Sequence, residues 1–478
     1  MPSAIALPRI VIAGLAGESG KTLVSLGLVL AARQRGLTVR AFKKGPDYID
    51  AAWLGWATRH NARNLDTYLM GFSGAAGSFA RHAVSDGINV IEGNRGLYDG
   101  SDARGTHSTA ELAKTLGAPV VLVLNATKVT RTAAACVLGC QKLDPDVVIA
   151  GVVLNQVGTA RHGRVASEAI EAACGVPVVG VLPRLEDTIL PGRHLGLVTP
   201  EEHSNTGHLE EHLLEFAMHH LEIGRLLSIA SQAAPMERDE TAAGCPSEGA
   251  GLRVAYLKDS AFTFYYPENL EAIEKAGAEL VPVSALTADA LPPGIHALYI
   301  GGGFPETHGA QLSSNTPFLR ALARAAAEGL PVYAECGGLM LLSRAIHWNG
   351  GRYPMSGVLP FEVQVCPAPQ GHGYVRLRVD RPNPFFAPGT VLTGHEFHYS
   401  RIAGGAEVPS TACSVERGTG CGGQRDGIVA GNVWASYTHL HALATPEWAG
   451  AFLGAARLFA HHEVTCATTG GRMEDFQM

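Results

Sequence analysis

The amino-acid sequence predicts an α/β protein in two halves, each built on a largely parallel sheet. Three observations predict it. Short apolar, β-branched runs alternate with helical stretches in both halves. The first of these runs, IVIAG, leads straight into a Gly-rich loop and a helix. Residues 226–250 interrupt the alternation with small polar residues and no periodicity, which reads as a linker.

In the first half, parallel strands are predicted at Arg9–Ala13, Thr38–Lys43, Ile88–Glu92, Pro119–Leu124 and Val147–Leu154. Helices separate them, as at Thr22–Arg35 and Ser108–Thr115. A second α/β run follows the linker, with strands at Leu252–Leu257, Leu280–Val283, Ala297–Ile300 and Pro331–Ala334. Gly427–Trp434 reads as one late strand. The predicted domains are therefore 1–225 and 251–462, and the tail 463–478 reads as disordered.

Composition narrows the function classes. The chain has 478 residues, of which 46% are hydrophobic and 17% charged, with a formal net charge of −7. A core for two domains is affordable, and no basic stripe points to nucleic acid or an anionic membrane surface. The longest apolar runs, such as Pro119–Leu124, are far too short to span a bilayer. The N-terminus lacks a basic n-region and runs directly into a strand, so no signal peptide is expected. Nine cysteines, an odd number without CxxC spacing, suit free thiols in a reducing cytoplasm. Twenty histidines occur without an HExxH pattern, which gives no reason to expect a structural zinc site.

GESGKT, residues 17–22, carries the first chemistry. A strand, a Gly-rich loop and a helix start present backbone N–H groups to phosphate. Gly20 shapes the loop, Lys21 would reach the terminal phosphates, and the Thr22 hydroxyl would ligate Mg²⁺. The first glycine of the usual spacing is displaced: position 15 is Leu and Gly14 stands one place early. Glu18 places a carboxylate in a loop meant for a polyanion. Downstream, KKGPDYID (43–50) supplies two lysines and two carboxylates, and EGNRGLYDG (92–100) follows another strand. Asp47 and Glu92, both near strand ends, suit Mg²⁺ beside phosphate oxygens.

The second half carries a thiol. VYAECGGLMLL (332–342) reads as strand, tight turn and helix, with Cys336 at the turn. That is the pattern of a nucleophile elbow, in which the turn and the helix start expose and acidify the thiol. Gly337 follows it, and Gly302 and Gly303 end an upstream strand, so their amides are candidates for an oxyanion hole. VWASYTHLHAL (433–443) offers His439 and His441, of which His439 is the preferred general base.

Together these motifs resemble the cobyrinic acid a,c-diamide synthase family of glutamine-dependent amidotransferases. The resemblance runs through SGKT, KKGPDYID, NLDTYLMG, EGNRGLYDG, STAELAKTLGAPVVLV, VVLNQVGTARH, GGGFPE, AECGGLMLL and SYTHLHA, about residues 9–460. It implies a dethiobiotin-synthetase-like P-loop domain and a flavodoxin-like class I glutamine amidotransferase domain. It implies ATP and glutamine as co-substrates, with Mg²⁺. Cys336 would attack glutamine with His439 as base. Lys21, Thr22 and Lys43 would serve phosphate and metal, and Asn155 would contact adenine. Asp47 and Glu92 would hold Mg²⁺, while Asp50, Arg95 and Asp99 would serve the acceptor and its acyl phosphate. The acceptor would be a tetrapyrrole, and the active species a cytoplasmic homodimer. Class I glutaminases often complete a triad with Glu two residues after the His, where this chain has His441. The reaction implied is ATP- and glutamine-dependent amidation of the a and c acetate carboxylates of a cobyrinate-type tetrapyrrole. Glu18, Asn94–Arg95 and Glu111 depart from the family's usual residues and keep siroheme amidase and nickel-sirohydrochlorin a,c-diamide synthase as alternatives with the same chemistry. A P-loop ATPase switch is the non-enzyme alternative, and Cys336 discriminates, because a switch has no use for it.

Overall fold

A computed structural model describes residues 3–185, 192–193, 196–203, 205–238, 249–404 and 410–470. The chain forms two compact units, one ending at Ala242 and one beginning at Ala243.

The main sheet of the first unit has seven strands: β1 (Arg9–Gly14), β2 (Thr38–Lys44), β3 (Arg63–Leu65), β4 (Gly87–Gly96), β5 (Val120–Asn125), β6 (Ile149–Val157) and β7 (Val178–Pro183). All pair in parallel, in the order β3-β2-β4-β1-β5-β6-β7. Central strands such as β1 are buried at every position, so they read as unbroken apolar runs rather than alternations. Helices cover both faces: α1 (Lys21–Gln34), α2 (Tyr48–Thr58), α3 (Gly71–His82), α4 (Thr109–Thr115), α5 (Arg131–Leu143), α6 (Ala160–Cys174), α7 (Thr206–His220) and α8 (Ile223–Ser231). One core cluster joins Phe42, Phe79 and Leu122 on one face; another joins Val24, Trp53, Val90 and Leu226 on the other. Each fully buried side chain of this size contributes about 1.5–3 kcal/mol. The chain leaves β1 with β4 on one side and β5 on the other, and crevices for ligands form at such a switch of strand order.

The stretch 226–250 is not a linker throughout. Its start belongs to α8, which buries Leu226, Ile229 and Ala230, and Met236–Arg238 pairs antiparallel with Ser3–Ile5. The small residues concealed a short amphipathic turn. Positions 239–248 lie outside the described residues.

The second unit is built on a ten-stranded mixed sheet. Its strands are β8 (Arg253–Leu257), β9 (Glu279–Val283), β10 (Ala297–Ile300), β11 (Val332–Glu335), β12 (Gly371–Val379), β13 (Val391–His398), β14 (Thr411–Arg417), β15 (Arg425–Ala430), β16 (Val433–Ser436) and β17 (His439–Leu440). The order is β9-β8-β10-β11-β16-β15-β14-β12-β13-β17. β9, β8, β10, β11 and β16 run parallel, and the rest pair antiparallel. The helices are α9 (Pro267–Lys275), α10 (Gly309–Ser314), α11 (Thr316–Ala327), α12 (Gly337–Leu342) and α13 (Glu447–Gly470). The single strand expected at Gly427–Trp434 is a hairpin: β15 and β16 pair antiparallel, and Gly431 turns at φ 57°. The tail expected from 463 continues helix α13 to Gly470, and 471–478 lie outside the described residues. No helix among the described residues is long and apolar enough to cross a membrane.

Candidate functional site

In the first unit, the loop after β1 closes tightly over Gly14. A Cβ there would lie 2.1 Å from Ser19 Oγ, so the early glycine is a steric requirement of this loop. Gly20 starts α1 at φ 98°, a conformation open to glycine, and its own Cβ would lie 2.2 Å from Asn155 Nδ2. Lys21 folds back onto the loop, its Nζ donating to the Ala16 carbonyl at 2.9 Å. Burial, then the charge of Lys43, lowers its pKa. Glu18 is exposed and left-handed, at φ 56°.

Asn155 is tied to the phosphate loop. Its Nδ2 donates to the Ser19 carbonyl at 3.0 Å and its Oδ1 accepts from the Gln156 amide at 2.8 Å. The side chain braces the loop from behind, with one amide N–H and one oxygen lone pair engaged. That role needs the β6 end to sit against the loop, a long-range packing fact that the strand pattern does not carry.

The parallel register of β2 and β4 sets Lys43 beside Glu92. Lys43 Nζ donates to Glu92 Oε1 at 2.7 Å, to Asp50 Oδ2 at 2.5 Å and to the Gly93 carbonyl at 3.2 Å. Thr22 Oγ1 donates to the same Glu92 oxygen at 2.9 Å. Burial opposes the charge on Lys43, but Asp50 and Glu92 outweigh it and hold the ammonium. Burial also pushes Glu92 above the usual carboxylate range against the pull of Lys43. Glu92 Oε2 is buried without a hydrogen-bond partner. Asp47 caps α2, accepting from the Asp50 amide at 2.8 Å. Burial, reinforced by Asp50, raises its pKa to about 7. The structure thus brings Thr22, Lys43, Asp47, Asp50 and Glu92 together. Arg95 is exposed at φ 48°, and the exposed Asp99 accepts from the Gly96 amide at 2.8 Å, closing the loop after β4.

In the second unit, Cys336 stands between β11 and α12 at φ 47°, ψ −97°. Such strain in a non-glycine residue marks an over-determined position. Its amide donates to the Ser436 carbonyl at 2.7 Å, fixing the turn to β16. The following glycines are sterically required: a Cβ at Gly338 would lie 2.5 Å from the Ile300 carbonyl, and one at Gly337 3.0 Å from Gly303 N. A Cβ at Gly302 would lie 2.6 Å from His439 Cε1. Gly302, Gly303, Gly337 and His439 therefore converge on the turn that carries Cys336.

The thiol is not acidified. Burial, then the charge of Glu306, pushes its pKa well up, although the Gly337 N–H favours the thiolate. The acidification expected of an elbow fails here because Cys336 is 7% exposed and α12 is only six residues long.

Glu335, immediately before the cysteine, was missed. It is fully buried, and its Oε2 lies 3.4 Å from His439 Nδ1. Its Oε1 accepts from the Leu440 amide at 3.0 Å. His395 stacks on His439 with ring centroids 5.0 Å apart. His441 faces elsewhere, 4.5 Å from the Tyr266 ring and 3.6 Å from Glu268 Oε2. The available signal for Glu335 was a carboxylate ending an otherwise apolar strand, which must find a buried partner.

Two domain families match. Residues 10–198 match the CobQ/CobB/MinD/ParA nucleotide binding domain, and residues 253–447 the CobB/CobQ-like glutamine amidotransferase domain. Relatives extend over nearly the whole chain. The cobyrinate a,c-diamide synthase of Magnetococcus marinus is 41% identical over 93% of this chain and 96% of that protein. That of Dehalococcoides mccartyi (strain CBDB1) is 41% identical over 95% and 99%, respectively. That of Archaeoglobus fulgidus is 39% identical over 94% and 97%. With a nucleotide-binding and a glutamine amidotransferase domain in one chain, and this identity across both, the protein belongs to the cobyrinate a,c-diamide synthase family.

Proposed function

We propose that this chain amidates the a and c acetate carboxylates of cobyrinate, using glutamine as nitrogen donor and ATP to activate each carboxylate. The observation that carries the reading is the strained, buried Cys336 with His439 and Glu335 behind it, in a chain that also folds a phosphate loop. A P-loop switch would leave that arrangement without a use. The relatives' names favour cobyrinate over siroheme or nickel-sirohydrochlorin.

Cys336 is the nucleophile. His439 removes its proton, which the raised pKa makes necessary, and Glu335 holds the His439 Nδ1–H. Sulfur attacks the glutamine amide carbon, ammonia leaves with the proton from His439, and water later hydrolyses the glutamyl thioester. The amides of Gly303 and Gly337 suit the developing oxyanion. In the nucleotide-binding unit, a substrate carboxylate attacks the γ-phosphorus of ATP and releases ADP. Ammonia then displaces phosphate from the acyl phosphate. A carboxylate alone is a poor electrophile, and phosphorylation supplies the leaving group. Lys21 and Lys43 offset the phosphate charge. Asp50 fixes Lys43, and Arg95 and Asp99 flank the acceptor.

Mg²⁺ suits the donor set here. Glu92 Oε2 is a buried oxygen with no partner, and Thr22 Oγ1 and Asp47 lie in the same cluster. When bound, the ion neutralises phosphate charge. The homodimer and cytoplasmic location expected from the resemblance rest on the family alone; light scattering reads the former.

Mass spectrometry of products tests the substrate. With ATP and glutamine, cobyrinate should lose about one mass unit per amidation, since NH₂ replaces OH, and should stop after two. Turnover of siroheme or nickel-sirohydrochlorin with none of cobyrinate would overturn the assignment.

A further inference from the structure

The second lysine of the KKGPDYID motif, Lys44, has no part in the chemistry above. β2 side chains alternate. Val39 and Ala41 pack on the α1/α2 face, as does the direction of Lys43 towards Glu92, while Phe42 packs against Phe79 of α3. Lys44 therefore leaves the sheet on the α3/α4 side, at the carboxyl end of the strands.

Its setting there is unusual. Lys44 is 5% exposed as a residue, no described side chain or carbonyl satisfies its ammonium, and only the Nζ tip reaches solvent. A long cation is almost never buried unless paired. Asp66 is near enough to favour the charge, but Asp66 Oδ1 is taken by the Tyr68 and Leu69 amides at 2.8 and 3.0 Å. Burial, with Lys43 and Arg95 adding like charge, makes the site unfavourable for an ammonium alone. Lys43, one residue earlier, has three partners. The two neighbours thus differ in kind: one is satisfied within the protein, and the other keeps its ammonium tip open to solvent.

An aromatic shelf lies on the same side. His107, which senses the charge of Lys44, is left-handed at φ 63° and held by Thr67 Oγ1 at 3.0 Å from Nδ1. Its ring stacks on Phe72, centroids 5.4 Å apart and 15° between planes, and meets Tyr68 edge-on at 5.4 Å. Phe72 is 36% exposed, among the exposed large hydrophobic residues.

We infer that Lys44 and the Phe72–His107 shelf form the acceptor's recognition subsite, Lys44 taking a peripheral carboxylate of a polycarboxylate macrocycle while the stacked rings take its apolar face. This rests on the functional reading above and names the side of the sheet that reads the acceptor. The charge of Arg95 also reaches Lys44 and widens the positive field. A carboxylate on Lys44 gains a charge-assisted contact at a site where water cannot compete well.

Two measurements test it together. Binding of cobyrinic acid and of its fully esterified form is followed by the macrocycle's absorbance, in wild type and in Lys44→Met. Wild type should prefer the acid, and Lys44→Met should lose about tenfold in affinity for the acid, the loss of one charged contact, with the ester little changed. Lys44→Arg should recover part of the preference. Separately, Lys44→Met should raise the melting temperature of the ligand-free protein, because a largely desolvated cation without a protein partner is removed. A fall in melting temperature would make Lys44 a structural cation and overturn the inference. So would an acid preference unchanged in Lys44→Met, which would leave the functional reading intact. Wild type that binds neither form while Mg·ATP binds would sink the tetrapyrrole reading and this inference together.

Discussion

Glu335 Oε2 lies 3.4 Å from His439 Nδ1, although the two residues are 104 positions apart in the chain. The carboxylate beside the proposed base thus comes from the position before the proposed nucleophile rather than from two places after the histidine. Glu335→Gln removes the charge while keeping the shape. Glutamine-dependent turnover should fall roughly 10²- to 10⁴-fold, as when a triad acid is neutralised, while turnover with ammonium salts should persist. Equal loss with both nitrogen sources would assign Glu335 to folding instead.

Gly302 has no room for a methyl group, since a Cβ would meet His439 Cε1 at 2.6 Å. Gly302→Ala should displace the imidazole and cost about 10²-fold in glutaminase kcat, the scale of an ångström-sized misplacement. Cys336→Ala should abolish glutamine use and spare ammonia-driven amidation. Parallel steady-state assays with glutamine and ammonia check both variants.

Glu306 is the largest charged contribution to the high Cys336 pKa, after burial. Glu306→Gln should lower that pKa and leave more thiolate at pH 8. Iodoacetamide labelling of the Cys336 peptide, read by mass spectrometry, should then be faster than in wild type. Slower or equal labelling would show that burial alone governs the thiol.

Asp47 has its pKa raised from 3.8 to about 7 in the folded protein. The folded state therefore holds this proton more tightly than the unfolded chain. Ionisation costs stability, so the penalty is absent below pH 4, grows as pH rises between 4 and 7, and is complete above 7. Asp47→Asn keeps a capping oxygen for the Asp50 amide. Its melting temperature in the absence of Mg²⁺ should exceed that of wild type at pH 8, and the difference should vanish towards pH 4. A pH-independent difference would remove Asp47 from the titrating cluster.

Glu18 occupies a left-handed position at φ 56° on the surface of the phosphate loop. Glu18→Gly should stabilise the fold by about 1 kcal/mol, since glycine bears no Cβ penalty there. It should also tighten ATP, because it removes a negative charge near the polyphosphate. Urea unfolding and nucleotide titration check the two effects; unchanged ATP affinity would place the carboxylate's field outside the phosphate site.

Much of this protein was readable from its residues in order. The apolar runs marked the central strands because parallel strands covered on both faces bury every side chain, as β1 does. GESGKT and AECGG marked their turns because only particular residues tolerate them, and the chemistry is written in the same few positions. The antiparallel strands β12, β13 and β14 were less legible, since β12 alternates buried and exposed positions and the pairing of all three is long-range. What only the tertiary structure decided were the partners. Register set Lys43 against Glu92 and left Lys44 on the opposite face without one. Strand order carried His439 to Glu335, and packing set Asn155 against the phosphate loop. Periodicity states which way a side chain points, but hydrogen bonds and burial depend on what arrives from distant parts of the chain, and that is fixed only when the sheets close.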